Sequence, residues 1–177
     1  MVKIVLIIAT NLFIGFIYGI SLQETFDSAG PLNEYDKYLS LETDVIYTGG
    51  LGIFEGRVKI DGNGAMIDLQ SGGGIWIYGE EAYPCHVEIE KCSIQNSEYF
   101  GISFAGTSTG SIINCNLIDN DFGVKLFDST YVVIKNCNFV SNARYGLGIY
   151  SAIPIAEISY CNAWDNGEAD YIENCPG

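Results

Sequence analysis

Two stretches decide the fold: INCNLIDNDFGVKL, residues 113–126, and KNCNFVSNARYGLGI, residues 135–149. Laid one on the other, Cys115 meets Cys137, Leu117 meets Phe139, and Asn120 meets Asn142. The runs Phe122-Gly123-Val124 and Tyr145-Gly146-Leu147 then fall together. The same frame recurs outward. Cys92, Cys115, Cys137 and Cys161 are separated by 23, 22 and 24 residues. Three residues before each stand Ile89, Ile112, Ile134 and Ile158; two after stand Ile94, Leu117, Phe139 and Ala163. An asparagine follows at Asn96, Asn120, Asn142 and Asn166. Three segments per repeat place apolar residues two apart, the pattern of short strands that bury one face.

A repeat near 23 residues, with no helical period and with asparagine at a turn, predicts coils of a parallel β-helix. Leucine-rich repeats share the length, but their Leu-x-x-Leu-x-Leu core is absent. The expected fold is therefore all-β: a single-stranded, right-handed parallel β-helix, because parallel crossovers are almost always right-handed. Two earlier coils are degenerate. Val58 and Ile60 match Val87 and Ile89, with Glu80 to Pro84 inserted between; Leu39, Leu41, Val45, Tyr47, Leu51 and Ile53 outline another. About six coils at a spacing of ~4.8 Å make a stack of roughly 29 Å. The expected organisation is a signal peptide over 1–21, an irregular cap and degenerate first coil over 22–55, and repeats over 56–177. Ile134→Asp is expected to abolish folding, and Ser103→Asp, on the outer face, to leave it intact.

With GRVKIDGNGAMIDL, residues 56–69, as an opening coil and the repeats behind it, the chain resembles the right-handed parallel β-helix superfamily, the pectate-lyase-like fold. The resemblance implies a fold and not an activity, because that superfamily holds lyases, hydrolases, isomerases and non-enzymatic binders. The motifs of its polygalacturonase branch (an Asn-Thr-Asp run, an Asp-Asp pair, Gly-His-Gly, Arg-Ile-Lys) are missing here.

Composition narrows the function classes. The 177 residues carry a net charge of −14, which repels phosphate backbones and argues against nucleic acid as partner. A single histidine, His86, excludes a multi-histidine metal site, and it is expected at the insertion and not on a repeat face. Nucleophile-elbow, phosphate-loop and dinucleotide patterns are absent. Residues 1–21 open with Lys3, continue with an apolar run and end on Gly19 and Ser21, the pattern of a secretory signal cut after Ser21; an uncleaved anchor is the alternative. The expected location is secreted or cell envelope, with no other membrane segment.

The cysteine column reads as stacked reduced thiols, with Cys92–Cys115 and Cys137–Cys161 as the disulfide alternative and a metal site as a third. Cys85 and Cys175 are too many coils apart to pair. Asn120, Asn142 and Asn166 read as a structural ladder at one bend, with Asn114, Asn116, Asn136, Asn138 and Asn162 serving the cysteine bend. Phe100, Phe122 and Tyr145 are expected in one outer column and Phe127 and Tyr150 in another, as stacking surfaces for sugar rings or as mutual shielding of the sheet. Lys125 points outward, with Asp119, Asp121, Asp128 and Arg144 around it. Lys125 and Arg144 are the candidate catalytic groups, and Asp119 and Asp121 the candidate calcium ligands, of a polysaccharide lyase; an ordinary charged face is the plainer alternative. Two function classes follow. The first is a non-enzymatic protein that presents a surface to a polysaccharide or cell-surface partner and requires no cofactor. The alternative is a calcium-assisted lyase on an acidic glycan.

Overall fold

The computed structural model describes residues 19–150 and 155–172. The first eighteen residues of the expected signal segment, and Cys175, lie outside them. Six coils follow one another, each with one strand on each of three faces. They are β2 (Lys37–Ser40), β3 (Ile46–Thr48) and β4 (Leu51–Ile53); β5 (Gly56–Asp61), β6 (Met66–Asp68) and β7 (Ile75–Gly79); and β8 (Cys85–Glu90), β9 (Ser93–Gln95) and β10 (Phe100–Gly106). The remaining three are β11 (Thr109–Ile113), β12 (Asn116–Ile118) and β13 (Phe122–Leu126); β14 (Tyr131–Lys135), β15 (Asn138–Val140) and β16 (Tyr145–Ile149); and β17 (Ile155–Ser159), β18 (Asn162–Trp164) and β19 (Ala169–Tyr171). All strand pairs are parallel, in three sheets of six, seven and six strands. The expected register holds: Val58 pairs with Val87 and Ile60 with Ile89, and Glu80 to Pro84 is the loop between β7 and β8.

The core is a set of columns. Val58, Val87, Val132, and Ile60, Ile89, Ile112, Ile134 point in from the first face; Ile67, Ile94, Leu117, Phe139 from the second; Ile75, Ile102, Val124, Leu147 from the third. Each buried side chain of this kind contributes roughly 1.5–3 kcal/mol, so stability belongs to the stack. Gly110 stands in the first-face column because a side chain there would strike the Val87 carbonyl and the Phe104 ring.

The sulfurs stack as expected. Cys92 and Cys115 lie 3.8 Å apart and are buried, and the five described cysteines carry free thiols. Contact with the Cys115 thiol, together with burial, pushes Cys137 up to about 12, and burial beside Glu55 pushes Cys85 up to about 11.

At the bend between second and third faces, Asn142 Nδ2 donates to the Leu117 carbonyl, and its Oδ1 accepts the backbone N–H of Asn120. The ladder runs through Asn120, Asn142 and Asn166, and one coil earlier the position belongs to Ser97, not Asn96. Asn96 instead has φ +64, the left-handed step that Asp119, Ser141 and Asp165 take in the following coils. At the cysteine bend Asn114 and Asn136 are left-handed and bonded to each other at 3.2 Å.

Three expectations change. The cap is not irregular throughout: β1 (Ile20–Ser21) adds a seventh strand to the second face, and α1 (Leu22–Ser28) covers the end of the core with the fully buried Leu22. Ser21 caps α1 through its hydroxyl, so a chain cut after Ser21 lacks both this cap and β1. Ser103 does point outward, yet it is only 2% exposed, between Trp76 and Lys125 on neighbouring coils. A carboxylate there is buried, so the tolerant outer position is the exposed Lys135. His86 does not sit in the insertion but on β8, paired between Arg57 and Thr109 on the first face.

Candidate functional site

Strand alternation puts Trp76 and Tyr78 outside β7, since Ile75 and Ile77 go in. The third face thereby carries aromatic residues on its outer side along the stack. Phe54 follows β4 and meets Trp76 edge-on at 5.4 Å; Trp76 and Tyr78 lie 6.3 Å apart. Farther along, Phe122 and Tyr145 approach to 5.3 Å, and Phe127 and Tyr150 stack at 5.3 Å with planes 23° apart. The two expected columns therefore exist: Phe100, Phe122 and Tyr145 pair in register, and Phe127 stacks with Tyr150. Their accessibility differs. Tyr150 is 43% exposed and Trp76 46%, whereas Phe122 is fully buried. Phe122 has no face left for a sugar, because Lys125 Nζ lies 3.7 Å and the Arg144 guanidinium 4.4 Å from its ring centre. Two glycines allow rings to lie flat on the sheet: a side chain at Gly52 would meet the Phe54 ring, and one at Gly148 the Tyr150 ring.

The charged residues expected beside Lys125 come together only in part. Arg144 forms a two-pronged pair with Asp121, and the Lys125 ammonium sits among Phe122, Phe127 and Tyr150. Burial, and then the nearby Arg144 charge, lower the pKa of Lys125. Asp119 is exposed at the bend, where it borders a shallow depression shared with Glu98 and Asp121. Among the described residues no three His, Cys, Asp or Glu side chains lie close enough to hold a metal ion.

Two features escaped sequence reasoning. The first is an ionic cluster on the first face. Glu88 accepts from Tyr35 Oη and Arg57 Nη2, each at 2.8 Å, and lies 3.1 Å from His86 Nε2. Burial pushes the Glu88 carboxyl up, but the bonds from Tyr35 and His86 and the Arg57 charge outweigh it and hold the carboxyl below its ordinary value. His86 Nδ1 is engaged by Thr109 at 2.8 Å, so both ring nitrogens have partners. Alternation along Cys85–Glu90 places His86 and Glu88 together outside, since Val87 and Ile89 point in.

The second feature is a cleft of about 1240 Å³ at the corner between third and first faces, walled by the Glu80–Pro84 loop, by Phe54 and Tyr78, and by Arg57 and His86. It touches the aromatic band, since Phe54 and Tyr78 belong to both. No described helix is long and apolar enough to cross a membrane.

A family model described as a right handed beta helix region matches residues 44–175. No curated protein and no solved structure matches the chain.

Proposed function

The chain belongs to the right-handed β-helix family, and from that footing we propose that it is a secreted or cell-envelope protein whose third face binds glycans without turning them over. The aromatic band carries this reading. Coils repeat every ~4.8 Å, so a linear polymer lying along the stack meets rings from successive coils. Phe54, Trp76 and Tyr150 leave part of their rings exposed on this face, and such rings stack on sugar faces. The polar groups nearest the band support binding over turnover, because Arg144 and Asp121 satisfy each other. One observation favours the second reading, a calcium-assisted lyase with Lys125 as base, Arg144 beside it, and Asp119 and Asp121 on calcium: the pKa of Lys125 is lowered.

Affinity electrophoresis against neutral and acidic polysaccharides tests the proposal. At least one glycan should retard the protein, and Trp76→Ala or Tyr150→Ala should weaken that binding by about tenfold, the worth of one ring stack. No retardation by any glycan, or variants that bind like the parent, would overturn it. New saccharide ends that form with calcium and cease with chelator would replace it with the lyase.

A further inference from the structure

We propose that the corner cleft binds the ammonium group of a glycan that carries free amino sugars. This inference rests on the glycan reading above and names the chemistry of one subsite. Glu55, Glu80 and Glu81 line the cleft, are exposed, and form no ion pair with any described residue. The basic side chains at its border are engaged elsewhere. Arg57 and His86 are both held by Glu88, and Lys37 donates to the Phe26 carbonyl at the end of α1 at 2.7 Å. Four carboxylates in the lining, Asp36, Glu55, Glu80 and Glu81, outnumber the two permanent cations, Lys37 and Arg57, so the rim is net negative, in a chain whose net charge is −14.

Its walls are aromatic. Phe54 and Tyr78 line it from the band side and the exposed Tyr83 from the loop. An ammonium group gains from carboxylates and aromatic faces together, and low-dielectric walls focus the field of the rim. A metal ion suits the place poorly, since it needs converging ligands and no three candidate ligands converge among the described residues. An ammonium on a sugar ring needs only an apolar wall and a nearby negative rim. The sugar reaches the cleft without leaving the band, because Trp76 contacts both Phe54 and Tyr78.

Titration calorimetry of the parent chain with a glucosamine oligomer and with its N-acetylated counterpart tests this. The amine form should bind about tenfold tighter. The double variant Glu55→Gln, Glu81→Gln should bring the two affinities together and leave that of the acetylated form unchanged. Both carboxylates are exposed, so the amides should fold as the parent does; Glu80 is spared because it bonds Tyr78. Trp76→Ala should weaken both sugars alike. Equal affinities in the parent, still sensitive to Trp76→Ala, overturn the inference and leave the glycan reading standing. A preference that survives the double variant also overturns it. Binding of neither sugar overturns the inference while the glycan reading stands or falls by the electrophoresis panel, and oligolysine binding that needs Glu55 and Glu81 while the sugars fail makes the cleft a peptide site.

Discussion

Asn142→Ala should be among the most damaging polar substitutions in the chain. Asn142 is buried, and its amide answers two backbone groups: Nδ2 donates to the Leu117 carbonyl at 3.1 Å, and Oδ1 accepts from the Asn120 N–H at 3.1 Å. Alanine leaves both without partners where water cannot reach. An orphaned buried group costs about 1–3 kcal/mol, so the loss should be about 2–6 kcal/mol. The side-chain bond to Asn166 at 2.8 Å goes as well. The control is Asn96→Gly, which keeps the left-handed backbone, removes one exposed bond to Asp68, and should cost no more than about 1 kcal/mol. Equilibrium unfolding in urea, followed by circular dichroism, reads both as midpoint shifts at constant slope. Similar shifts for the two variants would refute the reasoning, because the buried ladder would then be worth no more than a surface turn.

Glu88 has a folded pKa below its unfolded value, so its contribution is present above the unfolded carboxylate range, near pH 4.3, and is lost as pH falls through the folded value; Glu88→Gln should lower stability at neutral pH, approach the parent at acid pH, and so flatten the acid limb of a stability–pH curve. Tyr160 is 81% exposed and left-handed at φ +55, where Asn114 and Asn136 stand in other coils, so Tyr160→Asn should stabilise by about 0.5–1 kcal/mol in thermal melts. Gly148→Ala should lift the Tyr150 ring off the sheet and weaken glycan binding without lowering the melting temperature by more than a few degrees. Among the described cysteines of the folded protein, alkylation followed by mass spectrometry should label Cys161 before the buried Cys92, Cys115 and Cys137; labelling of the ladder only after reduction would mean disulfides.

The architecture was legible because its period is carried by many residues at once. Cys92, Cys115, Cys137 and Cys161 mark one bend, and the flanking isoleucines repeat the beat. The ladder Asn120, Asn142 and Asn166 was legible, but its continuation into the preceding coil was not: the aligned asparagine there is Asn96, while hydrogen bonding selects Ser97, whose hydroxyl donates to the Gly72 carbonyl at 2.9 Å. An amide beside a bend can serve as a left-handed turn residue or as a ladder rung, and only the neighbouring coil decides which. The site was less legible. Alternation alone gives Trp76 and Tyr78 an outward direction, but the glycines before them draw the eye to a turn. Direction also does not give exposure. Phe122 is covered by Arg144 and Tyr150 of the next coil as well as by Lys125 of its own strand, and Ser103 lies between Trp76 and Lys125 of neighbouring coils, a consequence of stacking that no single repeat contains. The cleft was invisible because it joins Phe54, the Glu80–Pro84 loop and His86, which meet only when three coils are in place.

The three corners of the coil differ in what they tolerate. From the third coil on, the first corner is fixed by the cysteine column and the second by the amide ladder, which tie coil to coil by side-chain bonds. The third has no such column: it takes five residues at Glu80–Pro84 but two at Thr107–Ser108, and the strands on either side keep their register. Lengthening a loop adds closure cost only slowly. The fold therefore separates a fixed thread from an editable margin: new recognition loops can be written at the third corner one coil at a time, each beside an aromatic band that is already in place.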